Sequence, residues 1–148
     1  MTSLSKEISK KIEVRIFTVV VVLLRMNKEV KKTLVLGASN NPSRYSYLAI
    51  NRLVNYGHPV VAIGRRKVTV NNIAVETEKK EFEDVDTVTV YMNAKNQKEF
   101  YDYILSLKPK RIIFNPGTEN EELYSLARQK GIQIMEACTL VMLGTGQY

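Results

Sequence analysis

Thr33-Leu-Val-Leu-Gly-Ala-Ser39, followed by Asn40-Asn-Pro-Ser-Arg44, decides the fold. Four β-favouring residues run into a glycine turn, and an apolar-periodic segment follows. That order is strand, tight turn, helix start. Backbone N–H groups at such a turn, together with the positive end of the helix dipole, make a site for a phosphate-sized anion. Gly37 is the sole glycine of the turn. A dinucleotide fingerprint wants glycines at the positions of Gly37, Ser39 and Pro42. Two of the three are absent, which argues for a bound phosphate group but against ordinary NAD binding.

The same alternation continues to the end of the chain. A helix is expected from about Pro42, with Asn41 as N-cap, burying Ala49, Ile50, Leu53 and Val54 and stopping at Gly57. Strands are expected at Pro59–Ile63, Asp86–Tyr91, Arg111–Phe114 and Ile132–Met135, with a short edge strand at Asn71–Glu76. Lys95–Leu107 reads as one helix. Thr118-Glu-Asn-Glu121 reads as a capping box opening another, which Gly131 ends. Strands alternating with crossover helices give an α/β, Rossmann-like, doubly wound and mainly parallel sheet. The expectation is one three-layer domain over residues 32–148, with strand order 3-2-1-4-5-6.

In such sheets ligands lie beyond the carboxyl ends of the strands. That singles out Gly37, Ala38, Ser39, Pro42 and Arg44; Gly64, Arg65 and Arg66; Met92 and Asn93; Asn115, Pro116 and Gly117; and Ala137–Cys138. NAD sites usually carry an acid after the second strand, for the ribose hydroxyls. Here the residues are Gly64-Arg-Arg-Lys67. Three cations suit a ribose phosphate, which both NADP and coenzyme A carry. A solvated surface run is the plain alternative.

Composition sets the outer bounds. The chain has 148 residues, 45% hydrophobic and 25% charged, ordinary for one globular core. The net charge of +7 is uneven: residues 1–31 contribute +4 and residues 32–148 only +3. No basic stripe or aromatic–basic RNA motif accompanies it, so nucleic acid is not expected as a partner. The one cysteine excludes an internal disulfide and a multi-cysteine zinc site, and favours a reducing, cytoplasmic setting. Residues 1–31 read as an N-terminal extension of uncertain structure. Ile16–Leu24 is apolar but too short to span a bilayer, and it lacks a signal-peptide cleavage site, so no membrane partner is expected. Its β-branched content suits a strand better than a helix. An extension upstream of a true start at Met26, an added strand or helix, and a targeting segment all remain open.

Gly37-Ala-Ser39, Pro42-Ser-Arg44, the helix end at Tyr56-Gly-His58, the stretch Asn115-Pro-Gly-Thr-Glu-Asn-Glu-Glu122 and Cys138 after the last strand form an ordered set. Together they resemble the small bacterial CoA-binding domain family, which also supplies the nucleotide-binding part of the succinyl-CoA synthetase alpha subunit. The resemblance covers about residues 32–142. It implies a CoA pose with the pyrophosphate near Gly37–Ser39 and the adenosine end toward Gly64–Lys67. There are two departures. The family has Asn-Pro after strand two, where this chain has Gly64-Arg65. It has Gln where this chain has Asn115.

No catalytic group is expected. His58, the one histidine, sits at the end of the sheet away from the ligand edge and reads as a surface residue. Cys138 reads as packing rather than as a nucleophile. Tyr45 and Tyr47 either line the site or pack the helix. Met135, Met142 and Leu143 read as packing. No metal cluster or catalytic triad fits. The expected function is binding of CoA or an acyl-CoA without catalysis, in a small-molecule site that leaves a partner protein or homodimer open. The alternatives are an NADP-dependent oxidoreductase subunit and a protein-interaction domain with a vestigial nucleotide pocket.

Overall fold

The computed structural model describes residues 3–26 and 29–148. It divides into two units, Met1–Val30 and Lys31–Tyr148. The second unit is a seven-stranded sheet flanked by helices. In chain order it comprises β1 (Thr33–Ala38), α2 (Tyr45–Asn55), β2 (Val60–Gly64), β3 (Val68–Val70), β4 (Ile73–Glu76) and β5 (Thr87–Val90). Then come α3 (Ala94–Gln97), a 3-10 turn at Lys98–Phe100, α4 (Tyr101–Ser106), β6 (Arg111–Phe114), α5 (Glu121–Gln129), β7 (Gln133–Glu136) and α6 (Thr139–Gly144).

The sheet order is β3-β4-β2-β1-β5-β6-β7. Every pairing is parallel except β3 with β4. Without β3 the order is the expected one. The added strand converts Asn71–Glu76 from an edge strand into an inner one. It forms because Asn71 and Asn72 both adopt positive φ, +47° and +62°. Asparagine tolerates that region, and two such residues make the tight hairpin turn whose twist matches antiparallel strands. Each sheet face buries its own core. Leu34, Leu36, Val88, Val90, Ile112 and Phe114 alternate with Val35, Ala62 and Ile113 along the strands. The first set packs with Ile104 and Leu123, the second with Ile50, Leu53 and Met142. Both faces are covered, so the strands read as continuous apolar runs.

Several local expectations are corrected. Helix α2 begins at Tyr45, with Arg44 as N-cap, because Asn41 is spent inside the preceding turn: its Oδ1 accepts from Ser43 N–H at 3.0 Å and from Ser43 Oγ at 2.8 Å. The cap of α5 is Asn120, whose side chain accepts from Leu123 N–H, while Thr118 Oγ1 donates to Asn115 O at 2.7 Å. The single helix expected over Lys95–Leu107 is broken into α3, the 3-10 turn and α4. The break directly follows Gln97, a wholly buried amide.

The first unit carries α1 (Ser3–Met26), a helix where the valine run pointed to a strand. β-Branched residues lose only a few tenths of a kcal/mol each in a helix, and a helix satisfies its own backbone while a strand needs a neighbour. Asn27 and Lys28, which follow the alternative start at Met26, lie outside the described residues.

Candidate functional site

The carboxyl ends of the parallel strands bring the expected residues to one edge. Ala38 pairs with Gly64 across β1 and β2, so the Ser39–Arg44 turn and the Arg65–Lys67 run leave the sheet side by side. On the other flank of β1, Leu36 pairs with Val90 and Val90 with Phe114. Met92–Asn93 and Asn115–Gly117 therefore emerge next in line, and Ala137–Cys138 follows after β7. The chain reverses its direction of travel across the sheet between β1 and β5, which is the switch point where such folds open a crevice.

Two glycines are required for strand tips to approach this closely. A Cβ on Gly37, whose φ is +96°, would lie 3.0 Å from the Tyr91 carbonyl carbon and 3.2 Å from Met92 N. A Cβ on Gly64 would lie 2.2 Å from Ala38 O. Both glycines thus act through the backbone, whatever else they touch. Within the turn, Ser39 Oγ accepts from Asn41 N–H at 3.1 Å. The head of α2 leaves its first N–H groups without intrahelical acceptors, and the Arg44 side chain makes no cap hydrogen bond to them. The helix has 11 residues, enough for a dipole end that attracts an anion.

Arg44, Arg65, Arg66 and Lys67 are exposed around this point. Among the described residues none of the three arginines forms an ion pair. An acid does approach, from a strand that sequence order does not connect to the run. Glu76, at the end of β4, pairs with Lys80 at 2.8 Å, and the Lys80 contact chiefly, with Lys67 adding, holds its carboxyl below the usual range. Glu76 stands beyond β2, on the side away from β1.

The other loop tips are held by a polar network that periodicity does not reveal. Asn115 is buried: its Nδ2 donates to Thr89 Oγ1 at 2.7 Å and to Val90 O at 2.9 Å, and its Oδ1 accepts from Thr139 N–H at 2.9 Å. The residue expected to face a ligand thus has its side chain committed to joining β5, β6 and α6. Gln97 Nε2 donates to Met92 O and Thr118 O, and its Oε1 accepts from Asn120, which also bonds Tyr101. A polar residue at a core position four before Tyr101 was the available signal for this lock. Asn93 Oδ1 caps α3 through Asn96 N–H at 2.9 Å. Pro116 and Gly117 are exposed. Glu119 accepts from Gly117 N–H at 3.1 Å, and hydrogen bonds from its own and the Gly117 amide hold its carboxyl low.

Tyr91 follows β5, and its hydroxyl is buried with no partner among the described residues; burial pushes it up to about 12. Cys138 is half-buried at the N-cap of α6, and Met142 and Leu143 are buried. Tyr45 is 70% exposed, so it does not pack the helix. His58 departs from expectation. It lies at the amino end of β2 as foreseen but is buried, accepting from Lys31 N–H through Nδ1 at 3.0 Å and meeting the Tyr148 ring edge-on at 4.8 Å. A cleft of about 530 Å³ opens at the same amino edge, lined by Asp102, Ser106, Lys108 and Lys130, away from the loop tips. Among the described residues no group of three His, Cys, Asp or Glu side chains gathers. None of the described helices is long and apolar enough to cross a membrane.

Comparison with known proteins agrees with this architecture. The profile of the CoA binding domain matches residues 31–144. A crystal structure of an uncharacterized protein is 50% identical, with a TM-score of 0.80, covering 82% of this chain and 100% of its own. A hypothetical protein from Pyrococcus horikoshii shares 20% identity and a TM-score of 0.72 over 79% of this chain and 84% of its own. A Thermus thermophilus protein shares 18% identity and a TM-score of 0.70 over 80% and 91%. No curated protein matches.

Proposed function

This chain belongs to the CoA-binding domain family, and on that premise we propose that it binds coenzyme A or an acyl-CoA along the carboxyl edge of the sheet, without chemistry of its own. The observation that carries this reading is the juxtaposition of two anion-attracting features at the tips of β1 and β2. The head of α2, reached through Gly37, Ala38 and Ser39, takes the pyrophosphate, with Pro42 and Arg44 at its rim. Arg65 and Arg66 take the ribose phosphate bidentately. Met92, Asn93, Pro116 and Gly117 border the rest of the ligand, and Asn115 holds their loops in register. A free cysteine and a thiol ligand both fit the reducing cytoplasm.

Native mass spectrometry of the protein purified from cells, followed by calorimetric titration with CoA, dephospho-CoA and NADP, tests the reading. CoA should co-purify and bind most tightly. Tighter binding of NADP would move the protein to the oxidoreductase class. Binding of none of the three would favour a protein-interaction domain with a vestigial pocket.

A further inference from the structure

Helix α1 carries none of the residues assigned to the ligand, yet its pattern is specific. In its first half Leu4, Ile8 and Ile12 recur every fourth residue on one face, with Lys6, Lys10 and Glu13 on the other. From Ile16 the apolar residues stop keeping to a face. Ile16, Phe17, Val19, Val20 and Val22 spread over about 220° of the helix circumference, far wider than one face, and are 46–71% exposed. One flat protein surface covers one side of a helix. A segment apolar over so wide an arc calls for a surrounding apolar medium. Over residues 3–26 five Lys or Arg face two Glu, so the medium's boundary should be anionic.

Length fixes the depth. The nine residues from Ile16 to Leu24 rise about 13.5 Å as a helix, against about 30 Å of bilayer hydrocarbon. That excludes crossing and leaves shallow insertion. We propose that α1 binds the surface of an anionic bilayer, with Ile16–Val22 among the upper acyl chains and Lys6, Lys10, Lys11 and Arg15 among the headgroups. The competing occupant of so apolar a helix is a second copy of the same chain.

The sequence contains no tryptophan, so a full-length Phe17→Trp protein reports on this segment alone. With vesicles of phosphatidylcholine and phosphatidylglycerol its emission should shift to the blue and the protein should co-sediment. Vesicles of phosphatidylcholine alone should do neither, and rising salt should reverse the binding. Adding Lys10→Gln and Lys11→Gln should weaken partitioning about twenty-five-fold, at about fivefold per surface cation. These lysines are exposed, so circular dichroism and CoA titration of the variant should be unchanged, which separates this test from that of the CoA site. Equal binding to both vesicles, binding to neither, or a concentration-dependent blue shift without lipid would overturn the proposal, the last in favour of self-association.

Discussion

Replacing Gly64 by Ala tests the geometry that brings the two anion-attracting features together. The new Cβ would sit 2.2 Å from Ala38 O and 3.0 Å from Val75 Cγ1. An ordinary carbon–oxygen contact is about 3.3 Å, so the tips of β1 and β2 must separate by about 1 Å. The obstruction is backbone inside a hydrogen-bonded ladder, where no side chain can swing aside. The cost therefore falls at the upper end for overpacking, about 3 kcal/mol. For a domain of this size, each kcal/mol is worth about 4 °C, so Tm should fall by about 12 °C. Gly144 is the control: nothing lies within 4 Å of its Cβ position and its φ is not positive. Gly144→Ala should match the parent or exceed it slightly, since alanine lowers the entropy of the unfolded chain. Differential scanning calorimetry of the three proteins decides. A Gly64→Ala protein melting within about 3 °C of the parent would refute the close approach of Ala38 and Gly64.

Three other outcomes follow from the polar interior. Asn115→Ala removes three buried hydrogen bonds and should cost about 3 kcal/mol in urea unfolding; a loss under about 1 kcal/mol would mean the lock at β5, β6 and α6 is absent. Tyr91→Phe should leave stability at neutral pH nearly unchanged, because the hydroxyl has no partner. The Tyr91 pKa lies at about 12, above the ordinary 10, so the unfolded chain gives up its proton first. The stability due to the buried neutral phenol is complete below about pH 10 and is lost as pH rises toward 12. The variant's stability should fall less steeply across that window, as read by denaturation at stepped pH. Cys138→Ser should change CoA affinity less than about twofold, since the residue is assigned no chemistry; a mixed disulfide with CoA at Cys138 in the native protein would contradict that.

The fold was legible because strands buried on both faces and helices buried on one leave opposite apolar periods in the chain. Thr33–Leu36 and Arg111–Phe114 are near-continuous runs, while Ala49, Ile50 and Leu53 mark a single helical face. The hairpin of β3 and β4 was hidden because Asn71-Asn72 replaces the usual glycine turn. Of the strand and helix left open for the N-terminal segment, α1 is the helix, because local β-propensity is weaker than the gain from a segment satisfying its own backbone. At the site, topology alone located the five loop tips. It could not separate exposed Arg65 and Arg66 from inward-turned Asn115, because all three sit just past strand ends. Nor could spacing show that Glu76 comes near Lys67, since only the hairpin brings them together. His58 lies where expected but is buried rather than exposed, because burial at a turn depends on the distant Tyr148.

The measurement nearest the central claim is calorimetric titration of the Arg65→Ala, Arg66→Ala double variant with CoA and dephospho-CoA, beside the parent. A charge-assisted contact contributes about 1.5–3 kcal/mol, so the parent should prefer CoA by about ten- to a hundredfold. The double variant should lose that preference while its affinity for dephospho-CoA stays nearly the same. A parent that binds both ligands equally, or a variant that keeps the preference, would contradict the assignment of Arg65 and Arg66 to the ribose phosphate.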